Sequence, residues 1–190
     1  MSLAPEVVEP LLRGRLGHPY LYVEQCASTQ RLFDVDAPEG AVAVAEEQTA
    51  GRGRLGREWH ASPRSSILVS VVLRPCVPPP QLPELSLVAG DAVAAALAGT
   101  ASVTPTVKLP NDVLIDGMKA AGILAEAAGG RVVLGIGVNV NQGEDELPAN
   151  ATSLRQAAGR EFDRAPLLAA ILAELERRYD NWVNGFGAAG

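Results

Sequence analysis

The 190-residue chain is short of the residues that most often announce a chemistry. Aromatic side chains make up 4% of it, and there are two cysteines, two histidines and two methionines. With so few rings, a core must come from Ala, Val, Leu and Ile, in keeping with a hydrophobic fraction of 47%. Cys26 and Cys76 stand apart, with no CxxC partner and no metal-ligand spacing. That argues against a disulfide framework or a zinc site and favours a reducing compartment. Positive charge is not in excess either: the formal net charge is −6, which argues against a general nucleic-acid binder. The opening MSLAPEVVEPLLRG has no basic n-region and carries acids inside its apolar stretch, so it does not read as a signal peptide. Apolar runs are broken by Gly, Arg or Asp well short of the ~18 residues a membrane span needs. The expectation is a cytoplasmic protein with no membrane segment, and residues 1–190 read as a single domain without repeats.

What is present is a series of short apolar runs. Residues 5–13 suit a short amphipathic helix, and Tyr20 to Gln25 alternates as a strand does. Ser28 and Thr29 offer a helix cap ahead of Gln30–Val35, and Gly40–Glu46 reads as a buried strand. Ser66–Leu73 (SILVSVVL) is rich in β-branched residues and predicts a strand. A proline-rich loop then leads into an Ala-rich helix at Leu85–Leu97. Val103–Leu109, Val113–Ile115, Lys119–Ala127 and Arg131–Val140 read as strands. The turn dipeptides Asp116-Gly117 and Gly129-Gly130 separate the last three and signal an antiparallel meander. Residues 164–183 carry Leu167, Leu168, Ile171, Leu172, Leu175 and Tyr179 on one helical face. Together these predict an α+β fold: a mixed, largely antiparallel sheet covered by helices on one side.

The densest chemical signal is the stretch from Gln48 to Trp59, QTAGRGRLGREW. It contains Gly51-x-Gly53-x-x-Gly56, the letters of a dinucleotide fingerprint, but no helix opens behind it. Arg74 stands where the ribose-binding acid would be, which argues against a Rossmann site. What remains is a flexible backbone presenting Arg52, Arg54 and Arg57 within six residues. Guanidinium forks suit carboxylates and phosphates, so on an acidic chain they point to a small anionic ligand. A solvated loop or an ion-pair cluster is the plainer alternative.

Downstream, Lys108-Leu-Pro-Asn-Asp112 follows a strand, and Pro110 favours an extended Leu109. Asn111-Asp112 after proline is ordinary turn chemistry. Lys119, however, lies seven residues past Asp112 across a hairpin tip, which can return it to the level of Asp112. An acid for a metal beside a lysine for a phosphate suits nucleotide chemistry; a solvent-facing lysine is the plainer reading. Gly122 permits close backbone approach. Gly135-Ile-Gly137-Val-Asn139 repeats the pattern and ends in an amide able to read a polar ring edge.

As a set, these segments resemble the catalytic domain of biotin protein ligases. The resemblance rests on Ser28-Thr29, on Glu47 to Arg57 with Trp59, on Lys108-x-Pro110-Asn111-Asp112-Val113, on Lys119-Ala-Ala-Gly122-Ile-Leu and on Gly135-x-Gly137-x-Asn139. It covers roughly residues 20 to 183 and implies a class II synthetase-like biotin/lipoate ligase catalytic fold. It also implies that biotin and ATP give biotinyl-5′-AMP and pyrophosphate, after which biotin passes to a lysine of a biotin carboxyl carrier protein. By the same resemblance, Ser28, Thr29, Gln48, Arg52, Gly53, Arg54, Lys119, Gly122 and Gly137 would bind biotin. Arg54, Arg57, Trp59, Asn111, Asp112, Lys119 and Asn139 would bind ATP. Lys119, Arg54 and Asp112 would be catalytic, with Asp112 also placing Mg²⁺. A homodimer formed through the sheet is implied in the same way.

The sequence departs from the family's pattern at Leu109, where tryptophan is usual, and at Gln30, where asparagine is common; both changes would loosen the ligand site. The chain stops just after its last helix, where a small β-barrel domain is expected. Only about 20 residues precede Tyr20, too few for a helix-turn-helix. Two other functions remain open: a biotin- or adenylate-binding module without catalysis, and a lipoate or octanoyl transferase, which would share the fold but lack the GRGRxGR loop.

Overall fold

The computed structural model describes residues 2–187. The strands are β1 (Tyr20–Cys26), β2 (Val42–Gln48), β3 (Ser66–Leu73), β4 (Pro105–Lys108), β5 (Asp112–Ile115), β6 (Met118–Ala128) and β7 (Arg131–Asn139). They form one seven-stranded sheet in the order β1-β2-β3-β7-β6-β5-β4. Only β1 and β2 pair in parallel; the other neighbours are antiparallel. The expected meander is present, and its two tips have the chemistry they need. Asp116 and Gly117 have φ of 51° and 79°, and Gly129 and Gly130 have 60° and 75°, the left-handed pairs that tight hairpins require.

Four helices complete the fold: α1 (Pro5–Val8), α2 (Leu85–Thr100), α3 (Leu154–Ala158) and α4 (Arg164–Gly187). The amphipathic helix expected over 5–13 is a single turn followed by a 3₁₀ turn at Glu9–Leu11, with Pro10 removing a donor. The helix expected after Ser28 is likewise only a 3₁₀ turn, Thr29–Arg31, and the Ser28 side chain caps nothing. The two long helices pack on each other and on one face of the sheet. The apolar stripe expected on α4 is buried from Leu167 to Tyr179. Small residues let α2 lie close to the sheet: a Cβ on Gly90 would stand 3.1 Å from Val107 Cγ1. With the preceding Pro79–Glu84 turn, α2 forms a stretch of 22 residues that is long and apolar enough to cross a membrane by length and composition. The sequence had suggested shorter runs. Its Leu85, Ala89, Ala92, Val93, Ala96 and Leu97 are buried in the core.

Strand alternation divides the sheet residues between two environments. Ile67, Val69, Val71 and Leu73 of β3 and Val132, Leu134, Ile136 and Val138 of β7 join the helices in the core. Ser70, Gly135, Gly137 and Asn139 therefore face the other way, where no long helix lies. At the rim of the core, Glu46 and Arg164 are each 1% exposed and paired at 2.6 Å. Arg164 also donates to the Ser66 carbonyl, and Glu46 accepts the Leu3 amide at 2.9 Å. Both buried charges are thus paired and hydrogen-bonded, as burial demands. Together they tie the N-terminal residues, β2, β3 and the start of α4.

Candidate functional site

The helix-free face is built on glycine. Gly122 of β6 pairs with Gly137 of β7, and Gly135 lies two residues further along β7. Bare backbone there lets larger groups rest directly on the sheet. A Cβ at Gly122 would stand 2.8 Å from Trp59 Cζ3, and one at Gly137 would stand 2.6 Å from Trp59 Cε2. The indole of Trp59 thus lies flat against this pair. Gln30 lies over Gly135, at 3.1 Å from the corresponding Cβ position.

Trp59 is placed by the arginine–glycine stretch, which the sequence suggested would have no regular structure. It closes instead as a small hairpin: Gly53 donates to the Arg57 carbonyl at 2.7 Å, and Trp59 donates to the Gly51 carbonyl at 3.0 Å. Leu55 and Gly56 turn the chain with φ of 59° and 74°, which leaves Leu55 91% exposed. Gly51 has no alternative, because a Cβ there would be 2.3 Å from the Trp59 carbonyl oxygen.

Trp59 borders two clefts. The first is bounded by Ser28, Thr29, Gln48 and Arg52 over the glycine floor. Gln48 Oε1 accepts from the Thr29 amide at 2.7 Å and its hydroxyl at 3.1 Å, and Thr29 Oγ1 meets Ser70 Oγ at 2.7 Å. With its oxygen so occupied, Gln48 presents its amide N–H groups as donors. Arg52 reaches Glu126 at 2.6 Å and is held at the cleft's edge. Burial pushes the nearby Cys26 thiol up, which keeps it protonated and a poor nucleophile.

The second cleft, about 240 Å³, carries Arg54, Arg57, Asp112 and Lys119 beside an apolar wall of Leu147, Pro148 and Ala151. Lys119 Nζ lies 2.7 Å from Asp112 Oδ1 and 5.4 Å from the Trp59 ring centroid. Its position depends on a β-bulge. Leu114 pairs with Lys119 but Val113 pairs with Ala121, so Ala120 is an extra residue on β6. In an unbroken strand Lys119 would share the core face of Ala121 and Ile123. The bulge turns it to the face of Gly122, where its Cε lies 3.2 Å from that glycine's Cβ position.

Two asparagines hold this arrangement. Asn111 donates to the Ile123 carbonyl at 2.9 Å. Asn139 donates to the carbonyls of Lys119 at 3.3 Å and Thr152 at 3.1 Å, and its oxygen accepts from Gln142. Both line the second cleft, with their N–H groups directed to the backbone.

The sequence-predicted residues therefore gather on one face, divided between two clefts. Ser28, Thr29, Gln48, Arg52, Gly122 and Gly137 line the first. Arg54, Arg57, Asn111, Asp112, Lys119 and Asn139 line the second, and Trp59 belongs to both. Gly53, expected against biotin, lines the second cleft. Leu109, expected near the pocket, is 70% exposed and lines neither. Gln30 lines the first cleft and is held there: its Nε2 donates to the carbonyls of Leu124 at 3.0 Å and Val133 at 3.3 Å. Sequence reasoning missed Ser70 and the Leu147–Ala151 wall. The first is one serine in an apolar strand, and the second has only loop composition. Among the described residues, no three His, Cys, Asp or Glu side chains gather where a metal could be held by protein alone.

A polar cleft and a cationic one that meet at Trp59, with Lys119 on the cationic side, can place two ligands end to end. The chain matches the Biotin/lipoate A/B protein ligase family over residues 22–142. It is 40% identical over 185 residues to the bifunctional ligase/repressor BirA of Bacillus spizizenii, covering 90% of this chain and 57% of that protein. It is 46% identical over 150 residues to the biotin–[acetyl-CoA-carboxylase] ligase of Mycobacterium tuberculosis, covering 77% and 56%. The chain thus spans little more than half the length of these relatives. The biotin protein ligase of Aquifex aeolicus, solved with biotin and ATP, superposes with a TM-score of 0.77 at 32% identity, covering 86% of this chain and 71% of that one. The Leishmania major enzyme, solved with biotinyl-5-AMP, gives 0.70 at 26% identity, covering 88% and 79%. The chain belongs to the biotin/lipoate A/B protein ligase family and has the catalytic fold of its biotin protein ligases.

Proposed function

We propose that this chain carries the active site of a biotin protein ligase. Biotin and ATP combine to biotinyl-5′-AMP and pyrophosphate, and an acceptor lysine of a biotin carboxyl carrier protein then takes the biotin. The observation that carries this reading is Lys119, set by a bulge in the second cleft, 5.4 Å from the ring of Trp59, which borders both clefts.

Biotin's ureido ring has two donors and one acceptor, and the first cleft offers matching groups in Ser28, Thr29 and Gln48. The carboxylate end then points past Trp59, which covers Gly122 and Gly137, toward Lys119. There the cation offsets the repulsion between the carboxylate and the ATP α-phosphate and the charge that develops during transfer. Arg54 and Arg57 add positive charge on the phosphate side, and Arg52 closes the biotin side. Trp59, Leu147 and Pro148 supply apolar faces for the adenine. Asn111 and Asn139 bound the nucleotide cleft and hold Lys119 and Asp112 in register. When bound with the nucleotide, Mg²⁺ supplies charge neutralisation at the phosphates. Asp112, which the structure pairs with Lys119, is the carboxylate of this cleft that would help hold it. The transferred acyl group leaves AMP as the acceptor amine attacks, so no enzyme nucleophile is required. Pairing of two copies through an exposed sheet edge belongs to the same proposal and is checked by sedimentation.

Calorimetry tests the reading. Biotin should bind, and lipoate should bind at least ~100-fold more weakly, because the polar groups facing the ureido ring would lose their partners. Equal affinity for the two, or tighter binding of lipoate, would contradict it.

A further inference from the structure

Three residues of β7 mark the length of the site. Asn139 stands in the cationic cleft, Gly137 lies under Trp59, and Gly135 lies under Gln30. The end farthest from Lys119 is therefore the end at Gln30. On the proposed reading, which this inference rests on, the ring system of biotin occupies that end and its carboxylate the other.

Gln30 is fixed there. Its Nε2 bridges the Leu124 carbonyl of β6 and the Val133 carbonyl of β7, while its Cγ, Cδ and Nε2 crowd the Cβ position of Gly135 at 3.1–3.3 Å. A side chain held by two neighbouring strands cannot swing aside for a larger ligand without giving up both hydrogen bonds. Its oxygen takes no hydrogen bond from the described residues, so it is left as an acceptor at the cleft's end.

We infer that Gln30 is a specificity-determining residue: clamped over Gly135, it is the end stop of the biotin cleft and limits the size of the ring edge that the cleft accepts. Shortening Gln30 opens the inner end. Placing a methyl on Gly135 drives Gln30 into the cleft.

The test uses biotin and the two isomers that carry one methyl on a ureido nitrogen, with affinities measured by calorimetry. The wild-type protein should bind both isomers more weakly than biotin, by roughly 10- to 200-fold for the added carbon and further for the lost N–H donor. The loss of the donor is common to wild type and variants and cancels when their ratios are compared. Gln30→Ala should recover about tenfold of that ratio for one isomer. Gln30→Leu, of similar reach but without the two clamping hydrogen bonds, should recover part of that ratio, less than Gln30→Ala does. Gly135→Ala should weaken biotin about tenfold while leaving ATP affinity unchanged, and it provides the test if Gln30→Ala folds poorly. A Gln30→Ala ratio equal to wild type for both isomers, or full biotin affinity in Gly135→Ala, would overturn the proposal. Failure of the wild-type protein to bind biotin at all would overturn the ligase reading as well, and the two failures are distinguishable.

Discussion

At the scale of single residues, the site's chemistry was largely legible and its geometry was not. Lys119 and Asp112 stood seven apart across a hairpin tip, and the structure brings them to 2.7 Å. What could not be read was the extra residue, Ala120. A bulge leaves no mark in the pattern of a strand rich in alanine, where both faces look alike. The glycines were legible as places of close approach, but their occupants, Trp59 and Gln30, come from distant parts of the chain. The account assigns Lys119 to the chemical step. Lys119→Ala should lower biotin-dependent pyrophosphate release by at least ~100-fold, the usual effect of removing one charge-stabilising group from a preorganised site. Biotin affinity, set at the other end of the cleft, should fall far less. Normal pyrophosphate release in this variant would remove Lys119 from its role.

Among the elements, the strongly patterned ones were the most predictable. The β-branched run of β3 has the bounds expected, and the apolar stripe of α4 is buried as its 3.6-residue period requires. Short elements fared worse because tertiary contacts decide them. The helix expected after Ser28 is one 3₁₀ turn, since Thr29 spends its amide and hydroxyl on Gln48 and Ser70 instead of on a helix. The arginine–glycine stretch showed its composition but not its hairpin, which depends on Gly51 and Gly56 in close or left-handed conformations. Its tip is exposed and only two backbone bonds cross it, so the packing of Trp59 and the Arg52–Glu126 pair carry much of its order. Residues 51–60 should gain hydrogen-exchange protection when biotin binds, with the Gly53 and Trp59 amides slowed most. Equal exchange with and without biotin would mean that the ligand does not order this hairpin.

For the molecule as a whole, one layer of helices and one bare sheet face explain why a small, acidic chain can hold a cationic site. α2 and α4 bury the apolar face, and the opposite face is left to glycine, serine and the loops that carry the charged groups. That one-sided architecture was predictable from the alternation of strand and helix patterns. The placing of Lys119 beside Trp59, where the two clefts meet, was not, because it requires the register of β5, β6 and β7 together. The central claim is that these residues form a complete adenylation site. The direct test is to incubate the purified chain with biotin, ATP and Mg²⁺ and to look for bound biotinyl-5′-AMP by mass spectrometry. The account predicts the adenylate in wild-type protein and its dependence on both biotin and ATP. Biotin bound without any adenylate, even at high protein concentration, would contradict it and reduce the chain to a biotin-binding module.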